Sequence, residues 1–335
     1  MRLKFWLGTA VSLGLLVFLF SRIDIARLWD TIRSVDPWYL AVATVTSISF
    51  FLVRALRWRY LMDPVKPGLS VGSLLSATMI GFMANNVLPA RLGEFVRAYA
   101  LGRKEDVPAG SVFATIVVER LFDGMSILLM MIYVLAAMPE DVAGGDVAAT
   151  MRKAGMVSLA AYVVMIVVLW YFQGNPETLK NLVRRTVGAF SENLGAKAAH
   201  LAGSFVTGLG VVKDVRLLSL IVFWSAVHWG LMWVPVLLLY KAFGLSFGMY
   251  AALFYLVATA VSVAVPSTPG FVGTYHAAAM GGLMLLGLDS DTALGVAILG
   301  HAMNFVPVTL LGLFYLYREN LSLGGIREVE AKAQT

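Results

Sequence analysis

Long apolar segments separated by short polar ones run through the whole chain. They cover residues 5–20, 38–53, 69–88, 111–138, 155–173, 217–240, 247–265, 274–288 and 292–317. A transmembrane helix needs about 20 predominantly apolar residues, so most of these segments can cross a bilayer, whereas segment 274–288 is short. With no strand pattern and no soluble region, the chain is predicted to be an all-α polytopic membrane protein with one membrane domain over residues 1–335.

Composition supports this class. Hydrophobic residues make up 59% of the chain and charged residues 14%, whereas soluble domains carry about 25% charged residues. The chain has no cysteine and four scattered histidines, so disulfides, Cys nucleophiles and a sequence-local metal site are not expected. Basic and aromatic residues do not interleave as in nucleic-acid-binding proteins. We therefore expect no cofactor, no metal and no nucleic-acid partner.

The first apolar segment resembles a signal peptide in outline, because Arg2 and Lys4 precede residues 5–20. No small-x-small cleavage site follows the apolar run. We interpret the segment as an uncleaved first span.

The distribution of Lys and Arg separates two topologies, because cytoplasmic loops carry an excess of both. Suppose that segment 69–88 enters the membrane and returns to the side from which it started. The basic regions before and after it then lie on the same side of the membrane as the N-terminus and the other basic regions. These basic regions are 54–66, 91–104, 177–216 and 318–327, and the acidic loops left on the opposite side are 139–147 and 288–291. We expect about eight full spans plus this re-entrant segment, in the inner (plasma) membrane of the cell with both termini cytoplasmic. Nine ordinary spans remain the alternative.

Residues 174–214 form the longest stretch between apolar segments. Apolar residues recur there at helical spacing, with Lys and Arg between them, which predicts amphipathic helix at the cytoplasmic surface, broken near Gly195. Specific lipid binding and simple packing as a linker are both compatible with this pattern.

The first polar constellation is the stretch 85–97, NNVLPARLGEFVR. Pro89 ends the preceding helix because it lacks a backbone donor. A new helix that begins near Gly93 would direct free N–H groups at an anion, and Arg91 and Arg97 would add positive charge. The pattern suits a phosphate, although a cytoplasmic loop with interfacial arginines would look the same.

The second constellation is Glu119, Arg120 and Asp123 inside apolar segment 111–138. Charges at the centre of a membrane helix are costly and need partners. Glu119 and Asp123 lie one turn apart on one face, so a cation is expected between them, with Arg91, Arg97 and Arg120 as candidates. A structural salt-bridge network and a substrate or proton site are both possible interpretations.

The third constellation covers residues 266–276, PSTPGFVGTYH. Two prolines and two glycines predict irregular backbone, and Thr274 is a candidate cap for the short helix that follows. Interrupted segments in the two halves of a transporter often form its substrate site.

In these motifs the sequence resembles the lysylphosphatidylglycerol synthase transmembrane-region family of flippase-like membrane proteins. The resemblance rests on N-N-x-L-P-A-R-x-G-E-x-x-R at 85–97, E-R-x-x-D at 119–123 and P-G-x-x-G at 269–273, in this order, and covers essentially the whole chain. The residues that match the family pattern are Asn86, Arg91, Glu94, Arg97, Glu119, Arg120, Asp123, Pro269 and Gly270. His276 departs from it, because many relatives carry Glu shortly after the Pro-Gly motif.

The resemblance implies a helical domain that moves or binds membrane lipids. Full synthases append an aminoacyl-transferase domain, and this chain ends at Thr335 without one, so we expect no aminoacylation and no enzyme activity. We expect a lipid transporter or flippase for an anionic, phosphate-bearing lipid, with possible homo-oligomers. Arginines would hold the phosphate, and carboxylates would position them or accept a proton.

The predicted substrate site comprises Asn85, Asn86, Arg91, Glu94, Arg97, Glu119, Arg120, Asp123, Pro269, Gly270, Gly273 and His276. The alternative function is an integral-membrane enzyme acting on a lipid phosphate, with Glu119 and Asp123 as metal ligands. The adjacent Arg120 argues against it. A scaffold subunit would tolerate substitution at all three motifs.

Overall fold

The computed structural model of the protein describes residues 25–88, 92–138, 146–189, 191–263 and 268–321. Within these ranges the chain is helical and contains no strand. The predicted first span, 5–20, and the acidic residues Glu140 and Asp141 lie outside the described residues.

The helices follow the apolar segments closely. In chain order they are α1 (Ile25–Arg33), α2 (Pro37–Met62), α3 (Val71–Val87), α4 (Gly93–Glu105), α5 (Ala109–Ala136), α6 (Asp146–Gly174), α7 (Pro176–Gly188), α8 (Glu192–Gly208), α9 (Val215–Leu231), α10 (Trp233–Ala242), α11 (Met249–Val263), α12 (Thr274–Leu285) and α13 (Ser290–Arg318). Short 3-10 helices cover Leu209–Lys213 and Pro269–Phe271.

Four helical stretches of the described chain are long and apolar enough to cross a membrane: Pro37–Met62, Gly155–Gly174, Val215–Ala242 and Ser290–Arg318. Two further apolar helices, α3 and α11, are shorter. The 28-residue α5 has the length of a span but contains Glu119, Arg120 and Asp123. The protein is therefore an all-helical membrane protein, and the predicted number of eight full spans is not confirmed.

Helices α3 and α4 form a tight antiparallel hairpin, the first hairpin. Gly81 and Gly93 allow the two backbones to touch, because a Cβ on Gly93 would collide with the Gly81 carbonyl. Asn85 Oδ1 accepts a hydrogen bond from the Gly93 N–H at 2.8 Å. At the open end, Lys66 Nζ donates to the Glu105 carbonyl at 2.5 Å. The chain therefore returns to the end from which it came. The return is made by α4, whereas segment 69–88 alone was predicted to turn back and 91–104 was predicted to be a basic region outside the membrane.

Helices α11 and α12 form the second hairpin. Gly282 of α12 packs closely on α11, since a Cβ at this position would lie 3.2 Å from the Phe254 ring and 3.4 Å from Ala258. Residues 268–273, with the 3-10 helix Pro269–Phe271, lead into α12. The apolar segments 247–265 and 274–288 are thus the two short arms of one hairpin, of 15 and 12 residues.

The tips of the two hairpins meet beside the middle of the 29-residue α13. Asn86 Nδ2 of the first hairpin donates to Thr309 Oγ1 at 2.9 Å, and Gly270 of the second packs against Phe305. The open end of the first hairpin lies at the C-terminal end of α13, where Lys104 pairs with Glu319. The second hairpin instead joins the N-terminal end of α13. Two opposed hairpins therefore each reach about halfway along α13.

Helices α7 and α8 form a peripheral hairpin over the predicted amphipathic stretch. The break lies between Gly188 and Glu192, not near Gly195 as predicted. Gly195 is instead a packing position inside α8, because a Cβ there would lie 2.7 Å from the Gly188 Cα. Ser111 at the start of α5 donates to the Ser204 carbonyl of α8 at 2.9 Å.

Candidate functional site

An ion cluster of three arginines and two carboxylates lies buried between α2, α4 and α5. Arg57 Nη2 contacts Asp123 Oδ1 at 2.7 Å, and Arg54 Nη1 contacts Asp123 Oδ2 at 3.0 Å. Arg97 Nη2 contacts Glu119 Oε2 at 2.8 Å, and Arg54 bonds the other oxygen of Glu119. All five residues are buried, and we refer to them as the ion cluster.

The ion cluster carries an uncompensated charge. Three guanidinium groups face two carboxylates, which leaves a formal charge of +1. Buried charges are costly unless they are paired. Arg120 and Glu94 at the edge of the cluster, 3.5 Å apart, add a cation and an anion and leave the excess unchanged. The cluster is therefore positively charged in a poorly solvated place, and a bound anion would balance it.

Aromatic and hydroxyl groups hold the arginines in place. The Arg97 guanidinium lies over the Trp58 ring, 3.6 Å from the ring centre, and the Trp58 indole N–H donates to Thr115 Oγ1 at 2.9 Å. Arg57 Nη1 donates to Ser225 Oγ at 3.0 Å. A cation over an indole face is attracted by the ring quadrupole, so the cluster is fixed on several helices at once.

The predicted pairing within α5 is present. Glu119 and Asp123 lie on one face of α5, and arginine side chains contact both carboxylates. The cations predicted for this role were Arg91, Arg97 and Arg120. Of these, Arg97 bonds Glu119, and Arg120 Nη1 lies 3.3 Å from Asp123, while Arg91 lies outside the described residues.

Sequence reasoning missed Arg54 and Arg57, which make most of the contacts to the carboxylates. The prediction ended the second span at residue 53 and assigned 54–66 to a basic loop. In the structure α2 continues to Met62 with a buried face that includes both arginines. The available signal was helical spacing, because Arg54, Arg57, Trp58 and Leu61 continue one face of the apolar helix.

Arg54 is also the arginine of the ion cluster that lines the central cavity, a space of about 290 Å³ between the two hairpin tips. The first hairpin contributes Phe82 and Asn86, and the second contributes Phe271 and Tyr275. The polar groups around the cavity are Ser47, Arg54, Asn86, His228, Tyr275, His301 and Asn304. Aromatic and aliphatic side chains form the rest of the wall, so the cavity is apolar with a few polar groups, as is common in ligand sites.

His228 lies at the border of the ion cluster and the cavity. Its Nε2 is 3.4 Å from Arg54 Nη2, and because arginine only donates, Nε2 accepts and Nδ1 carries the proton. His228 Nδ1 is buried and has no hydrogen-bond partner within the described ranges. The neighbouring Trp229 indole N–H donates to Asp123 Oδ1 at 3.0 Å.

The structure bears on two predictions about the first break. Arg97 was predicted to hold a phosphate, and its side chain is buried against Glu119 and Trp58 and does not line the central cavity. The start of α4 was predicted to offer free N–H groups to an anion, and the first of these groups, the Gly93 N–H, bonds Asn85. Asn85 and Glu94 are within hydrogen-bond reach at 3.4 Å. Of the predicted residues in this break, Asn86 lines the cavity.

The second break has a different construction. Gly270 has φ = 70°, and a Cβ there would lie 2.6 Å from the Phe305 ring. Gly273 has φ = 94° and precedes α12. His276 Nδ1 accepts from the Gly273 N–H at 3.4 Å, so His276 supports the start of α12. The predicted cap, Thr274, is instead the first helical residue and donates to the Phe271 carbonyl at 3.3 Å.

Histidine and tyrosine rings of α11, α12 and α13 pack together near the second tip, which contains Pro269 in its 3-10 turn. The His301 ring stacks on Tyr275 at 4.7 Å and lies 4.9 Å from the His276 ring. Tyr255 and Tyr275 share a hydrogen bond of 2.8 Å. His301 and Tyr275 line the central cavity, whereas His276 lies behind them.

In the part of the chain that the structure describes, no group of three or more His, Cys, Asp or Glu side chains could hold a metal ion. The carboxylates Glu119 and Asp123 bind arginines instead.

Comparison with known proteins gives one family. The family model described as the lysylphosphatidylglycerol synthase TM region matches residues 5–312. The chain is 26% identical to the glycosyltransferase AglD of Haloferax volcanii over 98% of its own length and 56% of AglD. It is also similar to two UPF0104 membrane proteins of Methanothermobacter thermautotrophicus, at 22% identity (85% of this chain and 86% of the relative) and 24% identity (92% and 90%). No solved structure matches.

Proposed function

We propose that this chain, which belongs to the lysylphosphatidylglycerol synthase TM region family, is a membrane lipid transporter that binds a phosphate-bearing anionic lipid in the central cavity. The observation that carries the proposal is the charge balance. A buried cluster with formal charge +1 presents one arginine, Arg54, to a cavity that is otherwise mostly apolar. A phosphate would balance this charge, and a lipid chain would fit the apolar wall.

The cavity offers partners for both parts of such a lipid. Arg54 can form charge-assisted hydrogen bonds to phosphate oxygens, and the unpartnered His228 Nδ1 can add a donor beside it. Phe50, Phe82 and Phe305 contribute apolar wall. These residues revise the expected phosphate contacts: Arg54 takes the place of Arg97, and Asn86 is retained as a polar group of the wall.

The two opposed hairpins suit translocation. Broken segments that meet near the membrane midplane form the substrate sites of many transporters. Here the first tip bonds α13 through Asn86 and Thr309, Gly270 of the second tip lies close to the Asn86 carbonyl, and both tips line the cavity. A shift of either tip would open the cavity toward one side. The protein needs no catalytic residue for this activity.

The basic ends of the helices favour one orientation in the cell membrane. Lys66, Lys104 and Arg318 lie at the same end of the structure, as the pairs Lys66–Glu105 and Lys104–Glu319 show. From the positive-inside rule we expect this end, with the open end of the first hairpin, to be cytoplasmic.

A vesicle assay with two matched variants tests the proposal. The purified protein is placed in phosphatidylcholine vesicles that contain a trace of phosphatidylglycerol or phosphatidylcholine with a fluorescent NBD acyl chain. Dithionite then reduces the fluorophore on lipids that reach the outer leaflet. Arg54→Gln and Arg57→Gln each remove one positive charge from the same carboxylates, but only Arg54 lines the cavity.

We expect the wild-type protein to move labelled phosphatidylglycerol faster than labelled phosphatidylcholine. Loss of a charge-assisted contact should slow Arg54→Gln by about tenfold or more, with Arg57→Gln affected less and Arg54→Lys keeping part of the activity. Unfolding temperatures in detergent serve as the control for folding. Equal loss in Arg54→Gln and Arg57→Gln, or no lipid movement by the wild type, would contradict the proposal.

A further inference from the structure

A second cavity lies on the other side of the ion cluster. It occupies about 310 Å³ between α4, α5 and α6, and we call it the lateral groove. Phe95 of α4 stacks on Phe113 of α5 with ring centres 4.7 Å apart, and Val117 and Met165 continue the apolar wall. Glu94 and Arg120 form its polar end.

The arginines of the two cavities lie close to the same carboxylate and the same aromatic ring, because Arg54 and Arg120 both contact Asp123 Oδ2, at 3.0 Å and 3.3 Å. The Phe82 ring centre is 5.3 Å from the Arg54 guanidinium and 5.6 Å from the Arg120 guanidinium. Arg54 faces the central cavity and Arg120 faces the groove. The Arg120 side chain is 38% exposed, and its Nε is buried without a hydrogen-bond partner among residues the structure covers. Each cavity thus has one arginine from the same charged region.

The outer wall of the groove is a helix suited to contact with lipid. The stretch Gly155–Gly174 of α6 is strongly apolar, and none of its most apolar window is buried inside the protein. Helix α6 packs on α5 where Gly124 leaves room for Tyr162. At 1.5 Å per residue, Arg120 lies about 17 Å along α5 from its first residue, Ala109. An anionic group at Arg120 would therefore lie well along this 28-residue helix, with its attached chain beside α6.

We propose that the lateral groove binds an anionic membrane lipid, with the phosphate at Arg120 and one acyl chain against Phe95, Phe113 and Met165. The positive excess of the charged region and the apolar wall match the two parts of such a lipid. This assignment rests on the proposed function. In it, a lipid leaves the bilayer at the lateral groove and then moves to Arg54 in the central cavity. Glu94, 3.5 Å from Arg120, would lose that contact when a phosphate binds.

Photo-crosslinking of full-length protein in nanodiscs tests the groove directly. The probes are phosphatidylglycerol and phosphatidylcholine, each with a diazirine on one acyl chain, in a phosphatidylcholine bilayer. Val117→Trp fills the groove without touching the ion cluster, and Met165→Trp fills it from α6 as a second variant. Leu129→Trp adds the same side chain at an exposed position on α5, outside the groove.

We expect phosphatidylglycerol to crosslink to residues 113–121 and 162–165 in the wild type and in Leu129→Trp, and this signal to fall severalfold in both groove-filling variants. Arg120→Gln should lose the preference for phosphatidylglycerol over phosphatidylcholine, a loss of about tenfold for one charge-assisted contact. Crosslinks spread evenly along α6 without preference for phosphatidylglycerol, or unchanged in the filled variants, would overturn the groove site.

The same variants in the vesicle assay separate this inference from the proposed function. If the wild type translocates lipid and Val117→Trp and Met165→Trp translocate equally well, the groove assignment is wrong and the central site stands. If the groove crosslinks phosphatidylglycerol selectively while the wild type moves no lipid, the protein binds lipid at the groove but is not a transporter.

Discussion

The two hairpin tips meet at one place, but they are built from different chemistry. The first tip is held by the side-chain amides of Asn85 and Asn86 and lies beside fixed charges of the ion cluster. The second tip depends on backbone geometry at Gly270 and Gly273 and lies beside tyrosine and histidine rings. Opposed hairpins of similar length therefore do not form a chemically symmetric site.

Because the two tips differ, the polar groups on the two sides of the central cavity also differ. Positive charge reaches it from α2 next to the first tip, whereas hydroxyl and imidazole groups reach it from α12 and α13 next to the second. If the protein transports an anionic lipid as proposed, the anion should bind most strongly near Arg54. The hydroxyl and imidazole groups near the second tip would then give weaker hydrogen bonds at the point of release.

Removal of one carboxylate from the ion cluster should lower the free energy of unfolding most. Glu119→Gln leaves three buried guanidinium groups with a single carboxylate, and loss of a partner from a buried ion pair costs about 3–5 kcal/mol. His301→Gln, beside the second tip, removes ring stacking on Tyr275 and should cost about 1 kcal/mol. Unfolding of both variants in mixed detergent micelles measures the difference. Similar losses would mean that the two tips are energetically alike.

The stability of the protein should depend on the backbone conformation of the second tip. Gly270→Ala places a Cβ 2.6 Å from Phe305 at a positive φ, and such strain costs about 1–3 kcal/mol. Gly281→Ala is the control, because its Cβ would meet open space at an ordinary helical φ, and alanine should gain a few tenths to about 1 kcal/mol in a helix. Thermal unfolding of the two variants compares them. A neutral Gly270→Ala would show that this tip does not depend on the glycine conformation.

Loss of the contact between the first tip and α13 should lower the free energy of unfolding least. Asn86→Ala removes the hydrogen bond to Thr309, and such interhelical bonds in membrane proteins contribute about 0.6 kcal/mol on average. Thr309→Val removes the same bond from the other side, so the double variant should lose no more than about the larger single loss. A double-mutant cycle on unfolding free energies checks this. Additive losses would show that the two residues act separately.

Sequence reasoning was most successful where the signal was helical spacing or the pattern of charge along the chain. The spacing of Glu119 and Asp123 placed both on one face of α5, and the distribution of Lys and Arg predicted that the chain turns back near segment 69–88, although it did not identify α4 as the returning helix. The family resemblance is also confirmed by the family model over residues 5–312.

The arginine partners could not be assigned in the same way. An arginine at the end of an apolar segment fits a basic loop or a buried ion pair equally well, and the choice depends on what other helices bring near it. Arg54 and Arg57 are buried because α5 supplies two carboxylates to them. The second hairpin was equally hidden, because two short apolar segments with a Pro-Gly break also fit two ordinary spans.

The hydrogen bond between Asn86 and Thr309 joins residues 223 positions apart in the chain. At about 5–20 residues per second, a ribosome needs roughly 10–45 s to add that length. During synthesis the first hairpin is therefore complete long before α13 and the second tip exist. Its polar tip must be kept hydrated, or be shielded by the insertion machinery, throughout this interval. Because of the order of synthesis, the first hairpin gains its contact with α13 only after most of the chain has been made.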